Sequence, residues 1–183
     1  TQQIRRQDQW VERVAEEGYP STAALRQVSG VGAFTALAFV LTLQDPMRFR
    51  KSRTVGAYLG LCPKQDQSGH QDPQLRISKT GDGYLRRLLV SRAHYILGPF
   101  GPDCDLRRWG QTLAVRGGKN AKKGAVVAVA RKLAVLLHRL WISQQHYEPL
   151  REMKRPPTTA PAAAQGSRSS PLGEGLGRSL RRG

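Results

Sequence analysis

The sequence predicts a mainly α-helical domain with a short irregular or β insertion and a disordered tail. Three observations predict it. Apolar residues recur at helical spacing over most of residues 1–143. Residues 62–80 lack that period and hold Pro63, Gly69 and Pro73. From Arg151 onward the chain is Pro/Ala/Gly/Ser/Arg-rich and poor in bulky apolar groups.

The elements follow in order. Residues 1–17 read as an amphipathic helix (Ile4, Trp10, Val11 and Val14 among polar residues) ended by Gly18-Tyr19-Pro20. Ser21 and Thr22 are candidate N-caps for a short helix through Val28. After Ser29-Gly30-Val31-Gly32, residues 33–41 are apolar all round, which predicts a buried central helix. Gln44-Asp45-Pro46 closes it. Ser52 or Thr54 is expected to cap a helix through about Leu61. Short strands are expected around Leu75-Arg76-Ile77 inside the irregular segment, whose length suggests a functional loop. Gly81-Asp82-Gly83 ends that loop, and a helix over 84–97 follows, with Leu85, Leu88, Leu89 and Ile96 on one face. Residues 106–115 and 121–143 make two further helices, separated by Gly117-Gly118-Lys119-Asn120.

Charge narrows the function classes. Thirty Lys and Arg face 13 Asp and Glu among 183 residues, a net +17. Residues 151–183 hold 7 basic and 2 acidic residues; residues 1–150 hold 23 and 11. The folded part is therefore basic in its own right, which favours a polyanion partner: DNA, RNA or an anionic membrane surface. No apolar run of about 18 residues spans a membrane, and the N-terminus lacks the apolar core of a secretory signal. Two cysteines, Cys62 and Cys104, are too few for a disulfide framework or a complete structural zinc site. The absence of an initiating Met suggests a processed or truncated product.

Several motifs bear on chemistry. Leu25-x-x-Val28-x-Gly30-Val31-Gly32-x-x-x-Ala36 resembles a helix-hairpin-helix, whose glycines turn the backbone and free N–H groups for a phosphate. A plain tight turn between helices is the alternative. Arg48, Arg50, Lys51 and Arg53 form a basic cluster expected near this turn. Residues 106–147 carry nine Lys/Arg and no Asp or Glu; Lys119, Lys122 and Lys123 lead into their last helix and join the candidate DNA contacts. In the irregular loop, Ser68 precedes Gly69, a pairing that turn chemistry alone accounts for. Lys64, Arg76, Lys79, Arg86 and Arg87 supply the positive charge that a nucleophile attacking phosphate needs, but no general base is identifiable. His70 reads as a solvated loop histidine, and His94, His138 and His146 lack metal-ligand spacing with acids. Trp109 and Trp141 read as core anchors.

The order of these motifs is similar to a known family. Residues 25–32, the apolar helix, Arg48-Phe49-Arg50-Lys51-Ser52-Arg53, Ala57-Tyr58-Leu59-Gly60-Leu61-Cys62-Pro63, Gln67-Ser68-Gly69, Ile77-Ser78-Lys79-Thr80-Gly81-Asp82 and Leu85-Arg86-Arg87-Leu88-Leu89 follow one another. Over residues 20–147 this resembles the C-terminal domain of insertion-sequence transposases of the IS-one-ten, IS-one-sixteen and IS-nine-oh-two type, the bridge-RNA-guided recombinases. The resemblance implies that Ser68 attacks the DNA backbone to form a phosphoserine link, with Arg76, Lys79, Arg86 and Arg87 at basic positions of the motif. It implies DNA and a guide RNA as partners and a homo-oligomer in the full-length protein. It places Mg²⁺ on carboxylates of an N-terminal RuvC-like domain that is expected to be missing here, so no cofactor is expected in this chain and it should not recombine alone.

The domain reading is a linking helix over 1–20, a transposase domain over 21–147 and a basic tail over 148–183. The expected location is the cytoplasm of a bacterium or archaeon, in association with the nucleoid. A non-catalytic helix-hairpin-helix binding module, or a decayed transposase remnant, shares the charge and the glycine turn without a role for Ser68. A basic RNA-associated structural protein is a third reading, favoured if binding ignores the Ser68 loop but requires residues 121–143.

Overall fold

The computed structural model describes residues 2–64, 77–118 and 120–151. Ser68, Arg76 and Lys119, the expected strand residues 75 and 76, and the tail from 152 lie outside them. Seven α-helices and one 3₁₀ turn make up the described residues, with no strand among them. They are α1 (Gln2–Gly18), α2 (Thr22–Arg26), α3 (Ala33–Leu43), the turn Pro46–Arg48, α4 (Arg53–Tyr58), α5 (Gly83–Leu97), α6 (Asp105–Arg116) and α7 (Ala121–Ser143). No helix of the described residues is long and apolar enough to cross a membrane.

The core forms around α7, which touches α2, α4, α5, α6 and the 3₁₀ turn. Val126, Val129, Leu133, Leu137 and Leu140 recur at three- and four-residue steps and are buried, with Ala125, Ala130 and Ala134 between them. Trp141 is buried at the far end and meets Phe39 edge-on, centroids 6.3 Å apart. The apolar run over 33–41 does form a helix, but α3 is not central. It packs on α1, α2 and α5, and leaves Phe34 and Leu41 half exposed. Composition marked α3 as apolar all round; what decides the centre is how many neighbours a helix meets, and α7 is twice as long.

Three element ends differ from expectation, because a hydroxyl bonds elsewhere or a left-handed glycine ends the helix early. Ser21 makes no capping bond, while Thr22 donates its hydroxyl to the carbonyls of Ala15 (3.0 Å) and Tyr19 (2.7 Å), tying α2 to α1. Neither Ser52 nor Thr54 caps α4: Thr54 donates to the Lys51 carbonyl at 2.7 Å, and the Ser52 hydroxyl pairs with the buried His138. Helix α4 stops at Tyr58 rather than Leu61. Gly60, at φ +66°, donates to Ala57 and Leu61 donates to Gly56, the Schellman pattern that ends a helix with a left-handed glycine. At the other end of the chain the Pro149 carbonyl accepts from the Asp105 N–H at 2.8 Å, so residue 149 lies against the start of α6.

Candidate nucleic-acid interface

The site is built where α4 ends and α5 begins. Beyond the Gly60 turn the chain runs antiparallel to residues 77–79. The Ser78 N–H donates to the Cys62 carbonyl (2.8 Å), the Lys79 N–H to the Gly60 carbonyl (3.2 Å), and Pro63 bridges Ile77. This short pairing closes the root of the segment that carries Ser68. Arg86, one turn into α5, fastens it: a single guanidinium nitrogen donates to the carbonyls of Leu59 (3.0 Å) and Thr80 (2.8 Å). Asp82 caps α5, its carboxylate accepting from the Leu85 N–H at 2.5 Å. A carboxylate is a strong cap at the positive end of a helix.

Beside this root lies an open groove of about 400 Å³. Among the described residues, Lys79, Arg86 and Arg87 bring positive charge to it, Ser91 and His94 bring hydrogen-bonding groups, and Ile77 and Val90 add apolar surface. The pair Lys79 and Arg87 is exposed. Such an arrangement suits a phosphate: cations with their heads in solvent on an apolar bed, and no carboxylate among the described lining residues.

The expected contact residues fall into separate groups. Lys79, Arg86 and Arg87 come together in the groove. Arg48, Arg50, Lys51 and Arg53 surround the start of α4, about 9 Å of helix away from the root. Arg48 lies over the rings of Tyr58 (5.1 Å) and Phe49 (5.7 Å). The glycine turn was expected beside this cluster, and α3 keeps them apart. Gly30 and Gly32 stand at its N-terminal end and the cluster follows its C-terminal end, about 16 Å along the axis. The turn rests instead on α5, where Gly30 meets the Tyr95 ring and its carbonyl accepts from Arg92 at 3.4 Å. Lys122 and Lys123 open α7, about 22 Å of helix from His138, the residue of α7 that touches Ser52.

The basic run over 106–147 is less free than its composition suggests. Arg107 donates to the carbonyls of Ile96 and Gly98, Arg108 pairs with Asp103, and Lys132 lies 4.4 Å from the Trp109 ring centre. The Arg108 hydrogen bond holds the Asp103 carboxyl below the usual carboxylate range. By contrast, among the described residues the ion pairs of Arg26 and Arg108 leave out Arg50, Lys51, Arg53, Lys79, Arg87, Lys122 and Lys123. Ser91 and His94 belong to the groove without having been singled out for it; their place on the same face of α5 as Arg87 was the available signal. Among the described residues no three His, Cys, Asp or Glu side chains converge.

Comparison with known proteins bears on this region directly. The stretch from α2 to just past α5, residues 22–100, matches a family model described as Transposase IS116/IS110/IS902 family. The family this chain resembles is that of insertion-sequence transposases. The matched span holds the glycine turn, the Arg48–Arg53 cluster, the loop root and the groove, and leaves out α6 and α7. The chain is 35% identical over 124 residues to the transposase for insertion sequence element IS1111A of Coxiella burnetii, covering 67% of this chain and 33% of that protein. It is 36% identical over 126 residues to the "Probable family 20 transposase" of Pseudomonas aeruginosa, covering 68% and 36%. A third relative, the transposase for IS1328 of Yersinia enterocolitica, is 41% identical over 69 residues, 38% of this chain and 21% of its own length. The chain thus spans about a third of the length of the first two relatives.

Proposed function

We propose that this chain is the serine-bearing, DNA-binding part of an insertion-sequence transposase. The observation that carries the reading is the match of residues 22–100 to the transposase family, over the span that contains both Ser68 and the cationic groove at its loop root. In this reading the Ser68 hydroxyl loses its proton and attacks a backbone phosphorus. A serine–phosphate ester forms, the bond to one deoxyribose oxygen breaks, and that oxygen leaves as a hydroxyl. Attack by the hydroxyl of a second strand then releases Ser68 and rejoins the backbone, so phosphodiester energy is conserved. Lys79 and Arg87, with Arg76 and Lys64 from the loop, stabilise the charge that builds on the phosphoryl oxygens. Arg48, Arg50, Lys51, Arg53, Lys119, Lys122 and Lys123 and the turn at Gly30 and Gly32 hold flanking phosphates without reading sequence.

The rest of the transposase, with its carboxylate domain, the guide RNA and the homo-oligomer, completes the reaction, in the cytoplasm of a bacterium or archaeon. The test supplies the chain with that remainder, guide RNA and donor DNA, and resolves protein–DNA adducts on a denaturing gel. The adduct is expected with the native chain and absent with Ser68→Ala. An undiminished adduct in Ser68→Ala overturns the assignment.

A further inference from the structure

The outer face of α5 carries more than charge. Tyr84, Arg87, Ser91, His94 and Tyr95 recur at helical steps on its exposed side. Tyr84 is 45% exposed and Tyr95 44%, and Phe34 of α3, 50% exposed, stands beside Tyr84. The Phe34 and Tyr84 rings meet edge-on with centroids 6.2 Å apart, and Arg87 lies 5.9 Å from the Tyr84 ring centre. Tyr95 is held against Gly30, about 16 Å further along the helix. Helix α5 contains no Asp or Glu.

Rings and cations together discriminate between partners. Gripping duplex phosphates needs the cations and has no use for exposed rings. A second copy of this chain would set Arg87 and Lys79 against their own like charges. An unpaired strand uses both, because every base offers a face to stack on and each base–aromatic stack contributes substantially. Resting on the reading above that the chain handles DNA, we propose that the α5 face binds an unpaired DNA strand. Phe34, Tyr84 and Tyr95 stack its bases while Lys79 and Arg87 hold its phosphates.

Fluorescence anisotropy with the 183-residue chain tests this. The probes are a labelled oligo-dT of about 10 nucleotides, a duplex of equal length and an oligo-rU. Phe34→Leu and Tyr84→Leu keep apolar bulk and remove the ring. Each is expected to weaken oligo-dT binding roughly 5- to 100-fold and to leave duplex affinity and its salt dependence unchanged. Arg87→Gln should weaken both. Equal losses on strand and duplex, no loss on the strand, or tighter binding of oligo-rU than of oligo-dT overturns the proposal. Photocrosslinking of the native chain to iododeoxyuridine-substituted oligo-dT needs no variant to fold. Crosslinks at Phe34, Tyr84 or Tyr95 are expected, and crosslinks confined to other segments overturn it. A Ser68-dependent adduct combined with strand binding indifferent to Tyr84→Leu would sink this inference and leave the proposed function standing. Loss of the Ser68 dependence with the ring-dependent strand binding intact would do the reverse.

Discussion

At Gly30 the backbone takes φ +88°, and a Cβ built there would come within 2.7 Å of the Tyr95 ring. Gly32, two residues on, has φ −84° and open space where its Cβ would stand. The two glycines look alike in the sequence and differ physically. Gly30→Ala is expected to cost about 1–3 kcal/mol in urea denaturation, from backbone strain plus displacement of Tyr95. Gly32→Ala should cost under about 1 kcal/mol, since only its place as helix N-cap is weakened. His138 is a second residue whose role lies in its contacts. It is fully buried, with Nε2 2.9 Å from the Pro46 carbonyl and Nδ1 3.0 Å from the Ser52 hydroxyl. A carbonyl only accepts, so Nε2 donates to Pro46, while Nδ1 pairs with the Ser52 hydroxyl. His138→Leu takes the bond from two half-buried partners and should cost about 1–3 kcal/mol, with the denaturation midpoint lowered and the slope unchanged.

Tyr147 supplies the pH test at the same scale. Burial first, then the nearby Cys104 and Asp105, pushes its phenol up from 10.0 to about 12. The folded chain therefore holds a proton that the unfolded chain releases near pH 10. Stability is present in full below pH 10 and falls as pH rises toward 12, by at most about 2 kcal/mol from this residue. Tyr147→Phe should remove that part of the alkaline loss, read from denaturation midpoints between pH 9 and 12.

At the scale of elements, adjacent residues of α5 do different work. Arg86 is turned into the loop root and donates to two carbonyls, whereas Arg87 is exposed beside Tyr84. Arg86→Ala is expected to destabilise the fold by roughly 1–3 kcal/mol, because the Leu59 and Thr80 carbonyls lose a charged donor. Arg87→Ala should leave stability within about 0.5 kcal/mol and reduce DNA affinity, with the slope of log affinity against log salt smaller by about one. Thermal melts and salt titrations of both variants separate the clamp from the contact. Sequence reading placed both arginines among the cations serving the loop, from charge and from their place in the resembled motif. It missed the clamp because the carbonyls that Arg86 meets belong to residues 59 and 80.

The family match ends at residue 100, yet the fold does not. Leu85, Leu89, Ala93 and Ile96 of α5 and Val55 and Leu59 of α4 are buried in a core whose other wall is α7. A chain cut after Phe100 is expected to lose cooperative unfolding and expose that apolar face; a sharp thermal transition in its circular dichroism would contradict this. α7 was legible to the residue, over 121–143, and α5 to within one residue. The ends of α2 and α4, the capping roles of Ser21, Ser52 and Thr54, and the identity of the central helix were not.

The division has a physical cause. Helical periodicity, glycine turns and net charge are properties of residues three or four apart or of composition, so the sequence alone determined the helices, the basic surplus and the ordered motifs that resemble those of transposases. Partner choice is not local. The pairing of Ser52 with His138, of Arg86 with Leu59, and of Gly30 with Tyr95 spans tens of residues, and only packing around α7 brings those groups within reach. Tertiary structure therefore decided which glycine is strained, which arginine is a clamp, and which face of α5 stays open with its rings and cations in solvent.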